Sequence, residues 1–342
     1  MRIERLSTIE DLRRAPFFKA FEVFMEKDPQ AHFFQSPEFI EFIQPVPGFR
    51  PVLFIALDDL GNVTGSLLGV HQRDGAGLKS WMSRRVLVQG GPLGAVDDAE
   101  ALIGALLKDA TGQAIYVEFR NFFETEHLRT AFDKHGFIHV PHLNFLLEVN
   151  GEEDALKTLS GTRRREIRGS VAAGASYGEA VNEQEVDDLY GILATLYREK
   201  VRKPLPSCDL FHRLHASPSG RVFVVRHEGR VVGGSAGPVY KDRAIYYWYA
   251  CGDNSIKGVH ASVLATWAPI EHAARHGIKQ LDFMGAGKPG QGYGVHDFKA
   301  RFGGAEVAYG RYEKILNRPL YRLGVSGLKA YQGAKALMGA KR

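Results

Sequence analysis

Only 2 cysteines, Cys208 and Cys251, occur in 342 residues. Two thiols cannot build a disulfide framework or a multi-cysteine zinc cluster. No apolar run approaches the roughly 18–20 residues that a membrane-spanning helix needs. The opening stretch MRIERLSTIEDLRR is charged throughout and has no apolar segment of the kind a secretory signal carries. Low-complexity linkers are missing too, and so is any heptad insertion that would build a coiled coil. Together these absences predict a cytoplasmic enzyme. What remains is ordinary globular material, 44% hydrophobic and 24% charged, long enough for two domains.

The net charge of +5 is concentrated locally. From residue 311 onward the basic residues are Arg311, Lys314, Arg318, Arg322, Lys329, Lys335, Lys341 and Arg342, against Glu313 alone. A second cluster is Arg163, Arg164, Arg165 and Arg168. Such patches suit anionic partners: tRNA, nucleotide phosphates or an acidic membrane surface. DNA is not an expected partner. Leu316, Leu320, Leu323 and Leu328 interleave with the last basic cluster, as in surface-binding helices and in packed terminal helices alike.

One module recurs. Val52–Leu57, a Gly61-Asn62-Val63-Thr64-Gly65 turn and a run to Val70 read as a hairpin; so do Val222–Val225, Gly229-Arg230-Val231-Val232-Gly233 and a run to Tyr240. A third strand follows each, at Lys79–Gln89 and Ala244–Cys251. A helix comes next, at Asp98–Thr111 and Ala261–His276, stopped by Gly112 and Gly277. Each helix leads to a short strand ending in an acid and a phenylalanine, Glu118-Phe119 and Asp282-Phe283. The offset of about 164–168 residues argues for tandem duplication of an α+β domain. The expected boundaries are 1–150 for a degenerate first copy and 151–342 for a second copy carrying the active site and the basic tail. Helices are also predicted over Glu10–Lys27, Gly151–Gly174 and Glu183–Val201, with a further segment at Pro37–Ile43.

The second copy continues into QLDFMGAGKPGQGYGVHDFKARFGG, residues 280–304. Gly285, Gly287 and Gly290 match the spacing of a dinucleotide fingerprint. That fingerprint must open a helix, and Pro289, Gly290, Gly292 and Gly294 prevent one. A Walker loop fails as well, because Pro289 follows Lys288 and Asp282 stands where its first glycine belongs.

Strand, strand, strand, helix, strand, then loop and helix is the order of the GNAT acyltransferase fold, here doubled. The chain resembles the FemAB-type transferases, which include peptidoglycan interpeptide-bridge aminoacyltransferases. The resemblance runs from Phe33 to Tyr321. It is carried by Phe33-Phe34-Gln35-Ser36-Pro37-Glu38-Phe39, Gly90-Gly91-Pro92-Leu93, Arg163-Arg164-Arg165-Glu166-Ile167-Arg168, Tyr246-Tyr247-Trp248-Tyr249-Ala250, Leu281-Asp282-Phe283-Met284-Gly285 and Phe298-Lys299-Ala300-Arg301-Phe302-Gly303-Gly304. It implies two mixed, mostly antiparallel sheets flanked by helices. It also implies acyl or aminoacyl transfer to an amine, on a small-molecule or lipid-linked acceptor such as a cell-envelope precursor. No tightly bound cofactor is expected; aminoacyl-tRNA or acyl-coenzyme A would be the co-substrate. The chain departs from the pattern at Ile40-Glu41-Phe42-Ile43, where some members place a lysine for a nucleotide-linked peptidoglycan precursor.

Amide formation needs a neutral amine, a positioned carbonyl and a stabilised oxyanion. The resembling Phe298-Lys299 motif implies that Lys299 is the oxyanion donor, and Asp282 is the candidate to orient the amine or take its proton. His296 and His260 are the candidate bases near neutral pH. Tyr247, Tyr249, Phe298, Gly285 and Gly287 are expected to shape the acceptor groove, and the resemblance implies that Arg202 holds an acceptor phosphate. Arg164, Arg165, Arg168 and Lys257 are candidate donor contacts, to tRNA or to phosphate. No metal site is expected, because His212 and His215 lack a third ligand. Two other readings are an acyl-coenzyme A N-acyltransferase for a sugar or peptidyl amine, and a non-catalytic fold that binds RNA or, through the basic C-terminus, an anionic membrane.

Overall fold

A computed structural model describes residues 1–201, 204–290 and 294–326. The chain forms two compact units. One is Met1–Val140 joined by the stretch from Tyr309, and the other is Pro141–Ala308.

In the first unit the strands run Arg2–Leu6, Phe49–Leu57, Val63–Gln72, Arg85–Gln89, Tyr116–Arg120, Arg311–Ile315 and Ile138–Val140 across one sheet, with Leu93–Gly94 beside Val63–Gln72. Helix Val96–Ala110 covers it. Its buried positions, Ala99, Leu102, Ile103, Leu106, Leu107 and Ala110, fall on one face at three- and four-residue steps. They pack on Val52, Phe54, Leu67, Val86, Val88 and Val117. The helix stops where Gly112 takes a φ of 78°.

The second unit repeats the plan. Its strands run Ala305–Val307, Asn144–Glu148, Gln280–Asp282, Ala244–Tyr246, Arg230–Tyr240, Gly220–His227 and Ser176–Glu179, with Tyr249–Gly252 also paired to Arg230–Tyr240. Helix Ala261–Arg275 lies in its core with Leu264, Trp267 and Ile270 buried, and Gly277 at φ 68° ends that helix region. The duplication is explicit in the registers. In each unit the strand before the helix and the strand after it pair in parallel, with Leu87 opposite Glu118 and Tyr246 opposite Asp282.

Several expectations need correction. Lys79–Met82 is not strand: Gly77–Met82 is a short exposed helix, and the third strand begins at Arg85. The helix expected over 10–27 breaks at Ala15, which is extended before Pro16. The 151–174 segment is two helices, the second opened by a Ser160 side-chain cap. The helix expected over 183–201 is helical to Leu196 and then widens into a π turn over Tyr197–Val201.

The boundary at 150 also moves. Asn144–Glu148 follows the edge strand Ile138–Val140 of the first sheet, yet pairs in the second with Gln280–Asp282 and Ala305–Val307. Arg311–Ile315 follows the edge strand Ala305–Val307 of the second sheet, yet pairs in the first with Tyr116–Arg120 and Ile138–Val140. Each of these strands fills an interior place in its sheet and satisfies two neighbouring edges. The start of the basic tail therefore belongs to the first unit, where Tyr321 packs edge-on against Tyr116. The remainder of that tail, from 327 on, lies outside the described residues, as does Arg202.

Candidate active site in the second unit

The sheet of the second unit opens at one point. The parallel ladder between Ala244–Tyr246 and Gln280–Asp282 ends at the Tyr246–Asp282 pair, with a last bond from the Tyr247 amide to the Asp282 carbonyl at 2.8 Å. Beyond it Tyr249–Gly252 keeps its pairing to Gly233–Ala236. Phe283 and Ala286 turn away and donate to the carbonyls of Phe145 and Leu143 at 3.1 and 2.6 Å. Between Tyr246 and Tyr249 the chain folds tightly, the Trp248 amide reaching the Tyr246 carbonyl at 2.9 Å. That carbonyl presses on Gly237, where a Cβ would lie 1.7 Å from the oxygen. The expected continuous strand 244–251 is thus two strands with a break between them.

Asp282 and Lys299 are both buried below this opening, and their opposite charges act on each other. The Asp282 carboxylate is buried and accepts from the Met284 amide at 2.6 Å and from Asn144 Nδ2 at 2.7 Å. Asn144 Oδ1 in turn accepts from the Gly285 amide at 2.7 Å. Met284 and Gly285 take φ values of 59° and 116°, a tight reversal that these bonds hold in place. Burial raises the Asp282 pKa; its hydrogen bonds and the Lys299 charge partly offset this. Lys299 Nζ, equally buried, donates to the carbonyls of Phe283 and Gly285, each at 2.7 Å. Desolvation lowers its pKa to about 8, opposed by the Asp282 charge. An ammonium has three donors. Two fasten the diverging segment, and among the described residues the third meets no protein acceptor.

Asn144 was invisible in the sequence, 138 residues from its partner carboxylate. Gly285 and Gly287 both belong to the site as backbone: the Gly287 carbonyl accepts from the Leu143 amide at 2.7 Å. The start of the glycine loop is therefore an irregular ladder against 143–145.

Other expected residues have different tasks. Tyr247 is buried, its hydroxyl 2.7 Å from Thr266 Oγ1 and its ring edge-on to Phe283, so it walls the site from within the core. Tyr249 is half-buried beside Phe211 and Tyr197. Phe298 supports Arg163, whose guanidinium lies 4.5 Å above its ring and bonds Glu166 at 2.5 Å. His296 is held by two carboxylates, Glu306 at 2.6 Å and Asp297 at 3.3 Å, which raise its pKa and favour the imidazolium. This suits it to an ion-pair clamp better than to a base. His260 is exposed, its amide bound to Ser170 Oγ at 2.9 Å. Arg164, Arg165, Arg168 and Lys257 are all exposed.

The start of helix Ala261–Arg275 bears on the donor. Bare helix N-terminal amides form an anion site. Here the Ser262 amide donates to Asn254 Oδ1 at 3.2 Å, Asn254 Nδ2 donates to Ser262 Oγ at 2.8 Å, and the amides of Val263 and Leu264 go to the His260 carbonyl.

Residues 158–300 match the family model described as an acetyltransferase (GNAT) domain. That span takes in Asp282 and Lys299. The whole chain has the tandem GNAT fold. A crystal structure of FemX shares the fold over 94% of this chain and 99% of its own, at 14% identity and a TM-score of 0.67. A tandem GNAT protein from the clavulanic acid biosynthesis pathway aligns over 92% and 99%, at 11% identity and a TM-score of 0.60. The C-terminal domain of a candidate lysylphosphatidylglycerol synthetase from Agrobacterium fabrum aligns over 96% of both chains, at 14% identity and a TM-score of 0.53. No curated protein sequence matches the chain. Asp282, its partner Asn144 and Lys299 sit where the broken strand 244–252 parts from Gln280–Asp282. Among the described residues no helix is long and apolar enough to cross a membrane.

Proposed function

We propose that the second unit transfers an acyl group to an amine, forming an amide, with an aminoacyl ester as the favoured donor. The observation that carries this reading is the parting of the strands at Tyr246 and Asp282 with a buried carboxylate and a buried ammonium beneath it. The amine nitrogen attacks the donor carbonyl, and the resulting oxyanion takes the third Lys299 N–H. Collapse of the tetrahedral intermediate expels the donor's oxygen or sulfur. Asp282 receives the proton that the attacking nitrogen sheds, a role that its raised pKa favours. Asn144 keeps that carboxylate aimed.

The occupied amides at Ser262 and Val263 favour an aminoacyl-tRNA over a coenzyme A thioester, whose pyrophosphate would want them free. The exposed Arg164, Arg165 and Arg168 supply charge for a tRNA backbone. The likeness to FemX and to a candidate lysylphosphatidylglycerol synthetase supports a cell-envelope precursor as acceptor.

The test supplies purified chain with labelled aminoacyl-tRNA or labelled acetyl-coenzyme A, and with peptidyl, amino-sugar and lipid-linked amines. Label recovered as an amide from aminoacyl-tRNA is the expected result. Amide made only from acetyl-coenzyme A would reassign the donor. If neither donor is consumed faster than with the Lys299→Ala variant, the acyl-transfer reading fails. Binding of uncharged tRNA or anionic vesicles would then point to the non-catalytic alternative.

A further inference from the structure

Three side chains away from the opening converge in a way the sequence did not suggest. Asp187 lies on helix Glu183–Leu196, and Cys208 and His212 lie one turn apart on helix Cys208–Ala216. One oxygen, Asp187 Oδ1, accepts from Cys208 Sγ at 3.3 Å and stands 2.9 Å from His212 Nε2. All three ligand atoms lie within 4.8 Å of one another. The expectation of no metal considered only His212 with His215, and it missed the cysteine four residues earlier on the same helix face.

We propose that Asp187, Cys208 and His212 bind one zinc ion, with the fourth position open to solvent. The donor set of thiolate, imidazole and carboxylate is one that zinc takes. Bonds of roughly 2.0–2.3 Å in a tetrahedron set ligand atoms about 3.3–3.7 Å apart. The sulfur–oxygen separation already fits. The nitrogen–oxygen separation has to open by a few tenths of an ångström, which the exposed Asp187 side chain allows. On binding, the ion takes the place of the Cys208 thiol proton, which is released to solvent. Among the described residues the buried His212 Nδ1 has no hydrogen-bond partner, so this imidazole lacks there the outer-shell bond that strengthens most zinc sites. A reversible site of modest affinity follows.

The ion would tie together two helices that bear on Tyr249. Phe211, adjacent to His212, packs edge-on to the Tyr249 ring at 5.0 Å, and Tyr197, just past the other helix, lies 6.4 Å away. Zinc would therefore stiffen the wall behind the strand that parts from Asp282.

Cobalt reports this directly, because a thiolate ligand gives Co²⁺ a charge-transfer absorption. Full-length, metal-free protein should bind one Co²⁺ with that absorption, lose it on adding Zn²⁺, and gain thermal stability with Zn²⁺. Cys208→Ser should abolish the absorption, since Cys251 is buried. Asp187→Asn, at an exposed position and with its folding checked by circular dichroism, should weaken binding at least tenfold. Absence of the thiolate band, or unchanged Co²⁺ binding in Cys208→Ser or Asp187→Asn, would overturn the proposal and leave the triad as a hydrogen-bonded contact between helices.

Discussion

Lys299 Nζ and the carbonyl of Gly285 stand 2.7 Å apart, so the residue expected to meet the oxyanion also braces the loop beside it. Lys299→Ala removes both functions. It should cut the single-turnover rate by at least ~10²-fold, the scale of a lost oxyanion donor. The buried Phe283 carbonyl and the half-buried Gly285 carbonyl would lose their donor, costing about 1–3 kcal/mol, which urea unfolding would show separately. An unchanged single-turnover rate would leave only the brace.

The protonation state of Lys299 makes a second prediction. Burial brings its pKa from 10.5 down to about 8. As pH rises through 8 the ammonium is lost, so the oxyanion contribution falls and the rate profile should descend. Stability moves the other way. Between about 8 and 10.5 the unfolded chain holds this proton more fully than the folded one, so the Lys299 contribution to stability rises across that window. Lys299→Arg should abolish the descending limb in whatever activity it retains, since a guanidinium stays charged. A limb that persists in Lys299→Arg belongs to another group.

Asn144 should be a positioning residue. Its hydrogen bond lowers the Asp282 pKa against the effect of burial. Asn144→Ala should move the ascending limb of the pH–rate profile to higher pH, because more base is then needed to ionise Asp282. A loss of rate without any shift of that limb would argue for a packing role.

Gly237 tests the strand break. A methyl there would meet the Tyr246 carbonyl at 1.7 Å, so Gly237→Ala must push the two strands apart. A destabilisation of about 3 kcal/mol is expected, together with loss of most of the activity. Gly178→Ala is the control in the same unit: its nearest neighbour is the Arg226 side chain at 3.9 Å, and its effect should stay within about 0.5 kcal/mol.

The early Phe-x-Gln-Ser motif is structural. Gln35 Nε2 donates to the carbonyls of Leu68, Gln89 and Gly90 at 2.9, 3.1 and 2.8 Å, and Oε1 accepts from the Leu68 amide at 2.7 Å. Gln35→Leu strands these buried groups and should cost about 2–4 kcal/mol by urea unfolding. Any activity of the folded fraction should survive, because the catalytic candidates lie in the second unit.

Several of these features could be read from residues close together in the chain. Alternating apolar runs, a turn glycine and a stop glycine define each hairpin and helix, because their hydrogen bonds close over a few residues. Lys299 and Asp282 stood out because each lies in a short motif that carries the family resemblance, Leu281-Asp282-Phe283-Met284-Gly285 and Phe298-Lys299-Ala300-Arg301-Phe302-Gly303-Gly304. Gln35 and the Gly90-Gly91-Pro92 turn were separate motifs in the sequence. Packing made them one feature, the Gln35 amide lying where a Gly91 Cβ would come within 3.1 Å.

By itself the sequence determined the duplicated module, the order of its elements and an acid in the strand after each helix, which Asp282 ends but Glu118 does not, since all follow from periodicity and turn chemistry within short windows. The tertiary structure decided what joins across distance. It placed Asn144–Glu148 and Arg311–Ile315 in their sheets, because an open strand edge takes whichever partner buries it. It broke the strand at Tyr247-Trp248, because Gly237 leaves room for a carbonyl there. It also brought Asn144 to Asp282, and Cys208 and His212 to Asp187, contacts that only the packed helices and sheet could define.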